Sequence, residues 1–260
     1  MTLMLLAIDI GNTNTVAGIF EGDKLLSTVR LVSQSEDPLL YLVSPLWAWY
    51  REAVKDDEIP PLVAIASVVP QLTEAFLIFL RSNLALEPLL ISSALKLPIK
   101  LDFDEPEQVG ADRICNAVAA HALHQKKHLP LVVVDFGTAT TFDILSVSGD
   151  YIGGIICPGP RTAISNLAVQ TAQLFDVEVE PPSGGVIAKN TEDAIKSGMF
   201  YGTLGEIEYL IGKIGEELGA KPTVIASGGL ANAIIMHSKI FDGIDPDLTL
   251  IGIRMVHEFQ

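Results

Sequence analysis

The chain has 260 residues, in which 17 Lys and Arg face 32 Asp and Glu, a formal net charge of −15. That balance excludes a nucleic-acid backbone as a partner, because proteins that bind one carry clustered basic surface. With 49% apolar residues the chain can fill one large core or two ordinary ones, which excludes disorder. The mean hydropathy is positive, yet long uncharged runs such as 59–73 and 162–175 are short of a membrane span and interrupted by Pro, Ser, Thr, Gln or Asn. No transmembrane helix is expected.

The first apolar stretch is about six residues long and has no basic lead, short of a signal-peptide core. Secretion is not expected. Cys115 and Cys157 lie in apolar segments without metal-ligand spacing, and read as free thiols in a reducing cytoplasm.

In chain order, residues 5–26 (LLAIDIGNTNTVAGIFEGDKLL) read as three strands joined by two hairpins, the second turning at Gly22-Asp23. A Ser35-Glu36-Asp37 start signal precedes a helix over 38–57; a strand over 62–67 and a helix over 71–85 follow. Residues 92–130 form a connection containing a helix over 110–127. Residues 131–152 (LVVVDFGTATTFDILSVSGDYI) then repeat the opening pattern, with the turn at Gly149-Asp150. A helix over 191–218, a strand over 223–226 and a helix over 230–239 complete the second copy. The segment 177–189, with Pro181-Pro182-Ser183-Gly184-Gly185, is the candidate mobile loop. The reading is of two duplicated α/β lobes, 1–110 and 111–260, with a ligand cleft between them.

Both copies carry Asp-x-Gly followed by a Thr/Asn-rich turn. In Asp9-Ile10-Gly11-Asn12-Thr13-Asn14-Thr15 the backbone N–H groups and hydroxyls suit phosphate oxygens, and the carboxylate suits a hydrated cation. Such turns are also ordinary hairpin devices. Asp135-Phe136-Gly137-Thr138-Ala139-Thr140-Thr141 repeats the arrangement, and the pair is more specific than either turn. Two such hairpins resemble the phosphate loops of actin-like sugar kinases and chaperone ATPases. That likeness implies an actin-like ATPase (ribonuclease H-like) fold.

Ser227-Gly228-Gly229-Leu230-Ala231 joins a strand to a helix, and its glycines fit either close ligand approach or a tight turn. Gly110-Ala111-Asp112-Arg113 opens a helix. Asp112 there suits the base that an attacking alcohol needs, or equally an acidic residue favoured by the helix dipole. Trp47-Ala48-Trp49-Tyr50 falls in a helical apolar pattern and reads as packing. His121, His124 and His128 lack supporting ligands and read as polar helix residues rather than a metal site.

Taken together, DIGNTNT, VGADR (109–113), VDFGTATT (134–141), GGIICPG (153–159), KNT (189–191) and SGGLA (227–231) resemble, in the same order, the type III pantothenate kinase family. The resemblance implies ATP-dependent phosphorylation of pantothenate to 4′-phosphopantothenate, the first step of coenzyme A synthesis. It assigns Asp9, Ile10, Gly11, Asn12, Thr13, Asn14, Thr15 and Val16 to the first phosphate loop, with Asp9 holding Mg²⁺ through water, and Thr138 to ATP. Asp112 is implied as the base, with Phe103, Gly110, Ala111 and Arg113 around the acceptor. Asp135 is implied to bind a monovalent cation, K⁺ or NH₄⁺. Thr191 is implied to reach pantothenate from the neighbouring subunit of a homodimer. Phe103 stands where many members carry Tyr, so a phenolic hydrogen bond is missing.

ATP and pantothenate are both anions, so the net charge cannot attract them; Arg113 and bound cations have to reverse the field locally. The alternatives are an actin-like kinase of another small alcohol, acid or sugar, and a non-catalytic transcriptional accessory factor. The missing basic surface speaks against direct DNA binding by the latter.

Overall fold

Strand β1 (Met4–Ile10) alternates between two covered faces. Leu6, Ile8 and Ile10 enter one core, while Leu5, Ala7 and Asp9 look the other way; only Asp9 of the six is not fully buried. A strand covered on both sides reads as a continuous apolar run, the pattern of its sequence. The computed structural model describes residues 4–33, 36–54, 62–126 and 128–260. Ser35 of the expected helix start, the end of the expected helix 38–57 and Lys127 lie outside the described residues.

The chain divides into two compact units, Met1–Ala119 with Leu248–Gln260, and Ala120–Asp247. In the first, β2 (Asn14–Glu21) and β3 (Lys24–Val32) form antiparallel hairpins after β1, while β4 (Leu62–Ser67) and β5 (Leu89–Leu90) add in parallel, giving the order β3-β2-β1-β4-β5. One face is covered by a π-helical turn (Leu39–Val43), α1 (Ser44–Val54) and α2 (Pro70–Leu84), whose Leu42, Leu46, Tyr50, Leu72 and Phe76 meet Ile8 and Ile65. Trp47 stacks on Tyr50 at 4.9 Å and meets Phe79 edge-on, so this aromatic run is packing, as read from the sequence.

A short 3₁₀ turn (Pro106–Gln108) leads into α3 (Ala111–His124). The second unit repeats the scheme. Strands β6 (Leu131–Phe136), β7 (Ala139–Leu145) and β8 (Tyr151–Pro158) are antiparallel, and β9 (Thr223–Gly228) and β10 (Gly243–Ile244) are parallel to β6, in the order β10-β9-β6-β7-β8. Both copies carry a register irregularity late in their second strand, at Ile19/Phe20 and Ile144/Leu145. Here α4 (Pro160–Gln170), α5 (Thr191–Leu218) and α6 (Ala231–Ile235) follow, and Phe200, Leu204, Ile207 and Ile211 of α5 cover Val134, Phe136 and Phe142. Each such buried side chain contributes roughly 1.5–3 kcal/mol relative to exposure.

The structure differs from the sequence reading in four places. The helix expected over 230–239 is only α6, and α4 and α7 (Leu248–Glu258) were not read as helices. Each sheet gains a fifth strand of two residues, too short for an alternation to register. The division read at 110/111 is moved into α3, and α7 belongs with the first unit rather than the second. The physical reason is contact: the Leu250 side chain of α7 packs against Gly18 of β2, and Gly252 packs against α3. Finally, the proline-rich segment 177–189 is tied down. Ser183 donates its N–H and hydroxyl to Asp193 at 3.0 and 2.9 Å, Lys196 pairs with Glu180, and the Ser197 hydroxyl donates to the Val186 carbonyl.

Candidate functional site

In the first unit, the Asp-x-Gly turn closes the β1–β2 hairpin. Asp9 is paired with Val16 and Ile10 with Thr15, and the Gly11 N–H donates to the Asn14 carbonyl at 3.0 Å. Asn12 and Thr13 are exposed at the tip, while Thr15 is fully buried and shares a hydrogen bond with the Ser33 hydroxyl at 3.0 Å. Ser33 also donates to the Gly11 carbonyl at 2.7 Å, and its N–H donates to Thr13. Ser33 thus braces the turn from the end of β3. Sequence reasoning missed it, since only hairpin register brings residue 33 to residues 11–15.

Beside this turn, the Val68 N–H donates to the Ile10 carbonyl, and Val68 also flanks Gly110. The loop entering α3 is therefore seated at the end of the central strands. Asp112 is half-buried in the first turn of α3; its Oδ1 accepts from the Arg113 N–H at 2.8 Å and curls back over Gly110, where a side chain would collide with it. Ala111 and Arg113 are buried, and Phe103 is half-buried in the preceding loop. Cys115 reports on the local field. Burial pushes its thiol well above the ordinary range, and the negative charges of Asp9 and Asp112 push it further. Val68 thus lies between the turn that follows Asp9 and the loop that leads to Asp112.

In the second unit, Asp135 is paired with Thr141 and Phe136 with Thr140, so this hairpin loop is one residue shorter than the first. Thr140 is the structural partner of Thr15: both pair with the last residue of the preceding strand and both are buried. Thr138 is exposed at the tip. Its carbonyl accepts from the Gly159 N–H at 3.0 Å and the Thr162 hydroxyl at 2.7 Å. Gly159 has no room for a side chain against this loop, and Thr162 was not picked out from sequence. Gly228 stands beside Asp135. At φ +87° it occupies backbone space that favours glycine, and a β-carbon would lie 2.7 Å from the Phe136 nitrogen and oxygen and closer still to Asp135 Oδ1. Of the two sequence readings of the Gly-Gly element, the tight turn is seen at Gly228, whose close neighbours are the Asp135 carboxylate and the Phe136 backbone.

Thr191 is exposed at the start of α5, behind the N-cap Asn190, whose side chain accepts from the Asp193 N–H. It belongs to the second unit, and Gly110 to Arg113 to the first. The Asp193 carboxyl lies below its ordinary value because it accepts from the Ser183 N–H, then from Asn190 and the Ser183 hydroxyl. Cys157, on β8, is a free thiol raised to about 11 by partial burial and then by Glu206.

Among the described residues no group of three His, Cys, Asp or Glu side chains could hold a metal ion, and the histidine run of α3 is not one. His124 instead meets Asp245 at 3.4 Å. Mg²⁺ needs no such cage, since it keeps several waters and takes one or two carboxylates plus substrate phosphates. Asp9, a half-buried carboxylate at the foot of an exposed turn, fits that requirement. Asp135, also half-buried and walled by Gly228, offers the oxygen chemistry a hard monovalent cation takes. No described helix is long and apolar enough to cross a membrane.

Similar solved structures share this architecture. The activator of 2-hydroxyisocaproyl-CoA dehydratase from Clostridium difficile, with bound ADPNP, aligns over 100% of this chain and 97% of its own at a TM-score of 0.60 and 13% identity. The ethanolamine utilization protein EutJ from Carboxydothermus hydrogenoformans aligns over 97% and 89% at 0.56 and 14%. At such identities the likeness speaks for fold alone, and that fold is the actin-like ATPase fold expected from the paired loops. Closer in sequence, type III pantothenate kinases from Frankia alni and Dehalococcoides mccartyi are each 41% identical, covering 98% and 100% of this chain and 99% of their own. The family model for type III pantothenate kinase matches residues 5–213, which span both Asp-x-Gly hairpins, the 109–113 motif and Thr191. The chain belongs to the type III pantothenate kinase family.

Proposed function

We propose that this chain phosphorylates pantothenate with ATP, yielding 4′-phosphopantothenate as the first step of coenzyme A biosynthesis. The observation that carries the reading is the family match over 5–213, which takes in every acceptor motif read from the sequence. Competing kinases of other small alcohols share the phosphate loops, but only the acceptor elements speak for pantothenate.

In this reading the turn 9–16 cradles the phosphates with its backbone N–H groups, braced by Ser33, and Thr138 contacts ATP from the second hairpin. Asp9 holds Mg²⁺ through water, and Asp135 holds K⁺ or NH₄⁺. Bound there, the cations offset charge on the phosphoryl oxygens. Asp112 orients the pantothenate hydroxyl and takes its proton, while Gly110, Ala111, Arg113 and Phe103 surround the acceptor. Phosphoryl transfer asks chiefly for positioning and electrostatics, so no covalent intermediate on the chain is required.

The active form is a homodimer in which Thr191 of one subunit completes the site of the other. Support comes from α5, where Gly198, Gly202, Gly205 and Gly212 each have open space and the nearby Tyr201 and Tyr209 are exposed. A mid-helix glycine costs about 1 kcal/mol against alanine, a cost that close approach of another backbone would explain. The working site is the cytoplasm.

ADP release measured across a panel of acceptors tests the function. Turnover with pantothenate, in the presence of Mg²⁺ and K⁺, is expected; silence toward it would end this reading, and a transcriptional effect without ATP turnover would favour the regulator. Replacing K⁺ by Na⁺ is expected to abolish most activity, and equal rates would count against Asp135 as a selective site.

A further inference from the structure

Each Asp-x-Gly hairpin is held by the residue that follows the third strand of its unit, and the two holds differ. After β3, the Ser33 N–H donates to the Thr13 carbonyl at 2.9 Å; after β8, the Gly159 N–H donates to the Thr138 carbonyl at 3.0 Å. Strand register makes the two positions equivalent, since Asn14 pairs with Val32 just before Ser33, and Ala139 pairs with Pro158 just before Gly159. Ser33 also brings a hydroxyl, which donates to the Gly11 carbonyl at 2.7 Å. Gly159 cannot do so. The second loop is one residue shorter, and a β-carbon at residue 159 would stand 2.6 Å from the Thr138 oxygen and nearer still to that of Gly137.

A hydroxyl reaches this tighter loop from three residues further along. Thr162, in the first turn of α4, donates to the same Thr138 carbonyl at 2.7 Å. A carbonyl oxygen accepts and cannot donate, so the sense of this bond is fixed, and the Gly159 N–H and the Thr162 hydroxyl together match its two lone pairs. The peptide between Thr138 and Ala139 is trans, so holding its oxygen toward α4 turns the Ala139 N–H the opposite way. The plane of the tip peptide is thereby set, and with it the backbone that carries the exposed Thr138 side chain.

We propose that Thr162 is a positioning residue for the second phosphate hairpin, supplying from α4 the hydroxyl hold that Ser33 supplies to the first. The inference rests on the kinase reading, in which Thr138 contacts ATP. A hydrogen bond that only tied α4 to the end of β7 would affect stability and leave nucleotide binding alone. One that holds the hairpin tip acts on ATP and spares pantothenate.

Thr162→Val keeps the branched shape and removes the donor; Thr162→Ser keeps the donor. Residue 162 is half-buried, so neither change opens a core. The experiment measures ADPNP affinity by titration calorimetry with Mg²⁺ and K⁺ present, the KM for ATP and for pantothenate, and the melting temperature, in wild type and both variants. Thr162→Val is expected to weaken ADPNP binding and raise the KM for ATP about three- to tenfold, the scale of one neutral hydrogen bond, with the KM for pantothenate unchanged. Thr162→Ser is expected to restore both. Wild-type nucleotide affinity in Thr162→Val overturns the proposal, whatever happens to the melting temperature. So does a loss equal in both variants, or one confined to the KM for pantothenate. A wild-type protein that binds ADPNP but does not turn over pantothenate would end the pantothenate reading, while the comparison of nucleotide affinities would still decide the role of Thr162.

Discussion

Gly252 of α7 lies so close to Cys115 of α3 that a β-carbon at residue 252 would stand 2.7 Å from the Cys115 Cα and nearer still to its carbonyl group. The obstacle is backbone, which cannot swing aside as a side chain would. The last helix of the chain is thereby seated on the helix that carries Asp112 and Arg113.

Gly252→Ala is expected to force the two helices apart. Overpacking of this kind costs about 1–3 kcal/mol. A thermal melt should show the loss, and kcat should fall with it because α3 carries Asp112. An unchanged melting temperature would mean the crossing is looser than the contact implies.

Asp112→Asn is expected to leave the fold intact, since an amide oxygen can still accept from the Arg113 N–H. Turnover should drop about 10²-fold or more, the scale of a general base. Circular dichroism and steady-state kinetics check both halves, and near-wild-type turnover would remove Asp112 from the role.

Thr191→Ala and Asp112→Asn are each expected to be nearly inactive alone. If Thr191 serves the neighbouring subunit, a refolded mixture contains mixed dimers with one intact site. Activity should then recover to about a quarter of wild type for random pairing of two-fold dimers. No recovery, with mixed dimers demonstrated by mass spectrometry, would place Thr191 outside the shared site.

Asp193 is held below the ordinary carboxyl value by Ser183 and Asn190. A depressed pKa contributes stability above the unfolded value and loses it as pH falls through the folded one. The tie between the 181–185 turn and α5 is thus expected to hold at neutral pH and release in acid. Hydrogen exchange over 177–189, corrected for intrinsic rate, should rise at low pH in wild type and already be high at pH 7 in Asp193→Asn.

Much of the fold was legible because the chain repeats itself. Two Asp-x-Gly hairpins after buried strands announced two copies of one sheet, and the bounds of α5, 191–218, were readable from its periodicity and cap. Other elements gave weak signals. Strands of two residues have no period, and α4 opens on Gly-Pro and mixes polar with apolar residues, which blurs its period. At the candidate site, the acidic residues and glycines were visible as motif letters. Ser33 and Thr162 were not, because an isolated Ser or Thr says nothing until register brings it to a turn.

The motif order was sufficient to name a family, since it is a property of residues in line. Contacts between residues far apart in the chain were not. The one-residue difference between the two hairpin loops is set by strand pairing, which makes Thr140, rather than Thr141, the counterpart of Thr15. The return of α7 to the first unit is set by packing against Gly18 and Cys115. Sequence separation hides such contacts because a side chain or a bare glycine acquires its meaning only from the atoms folded against it.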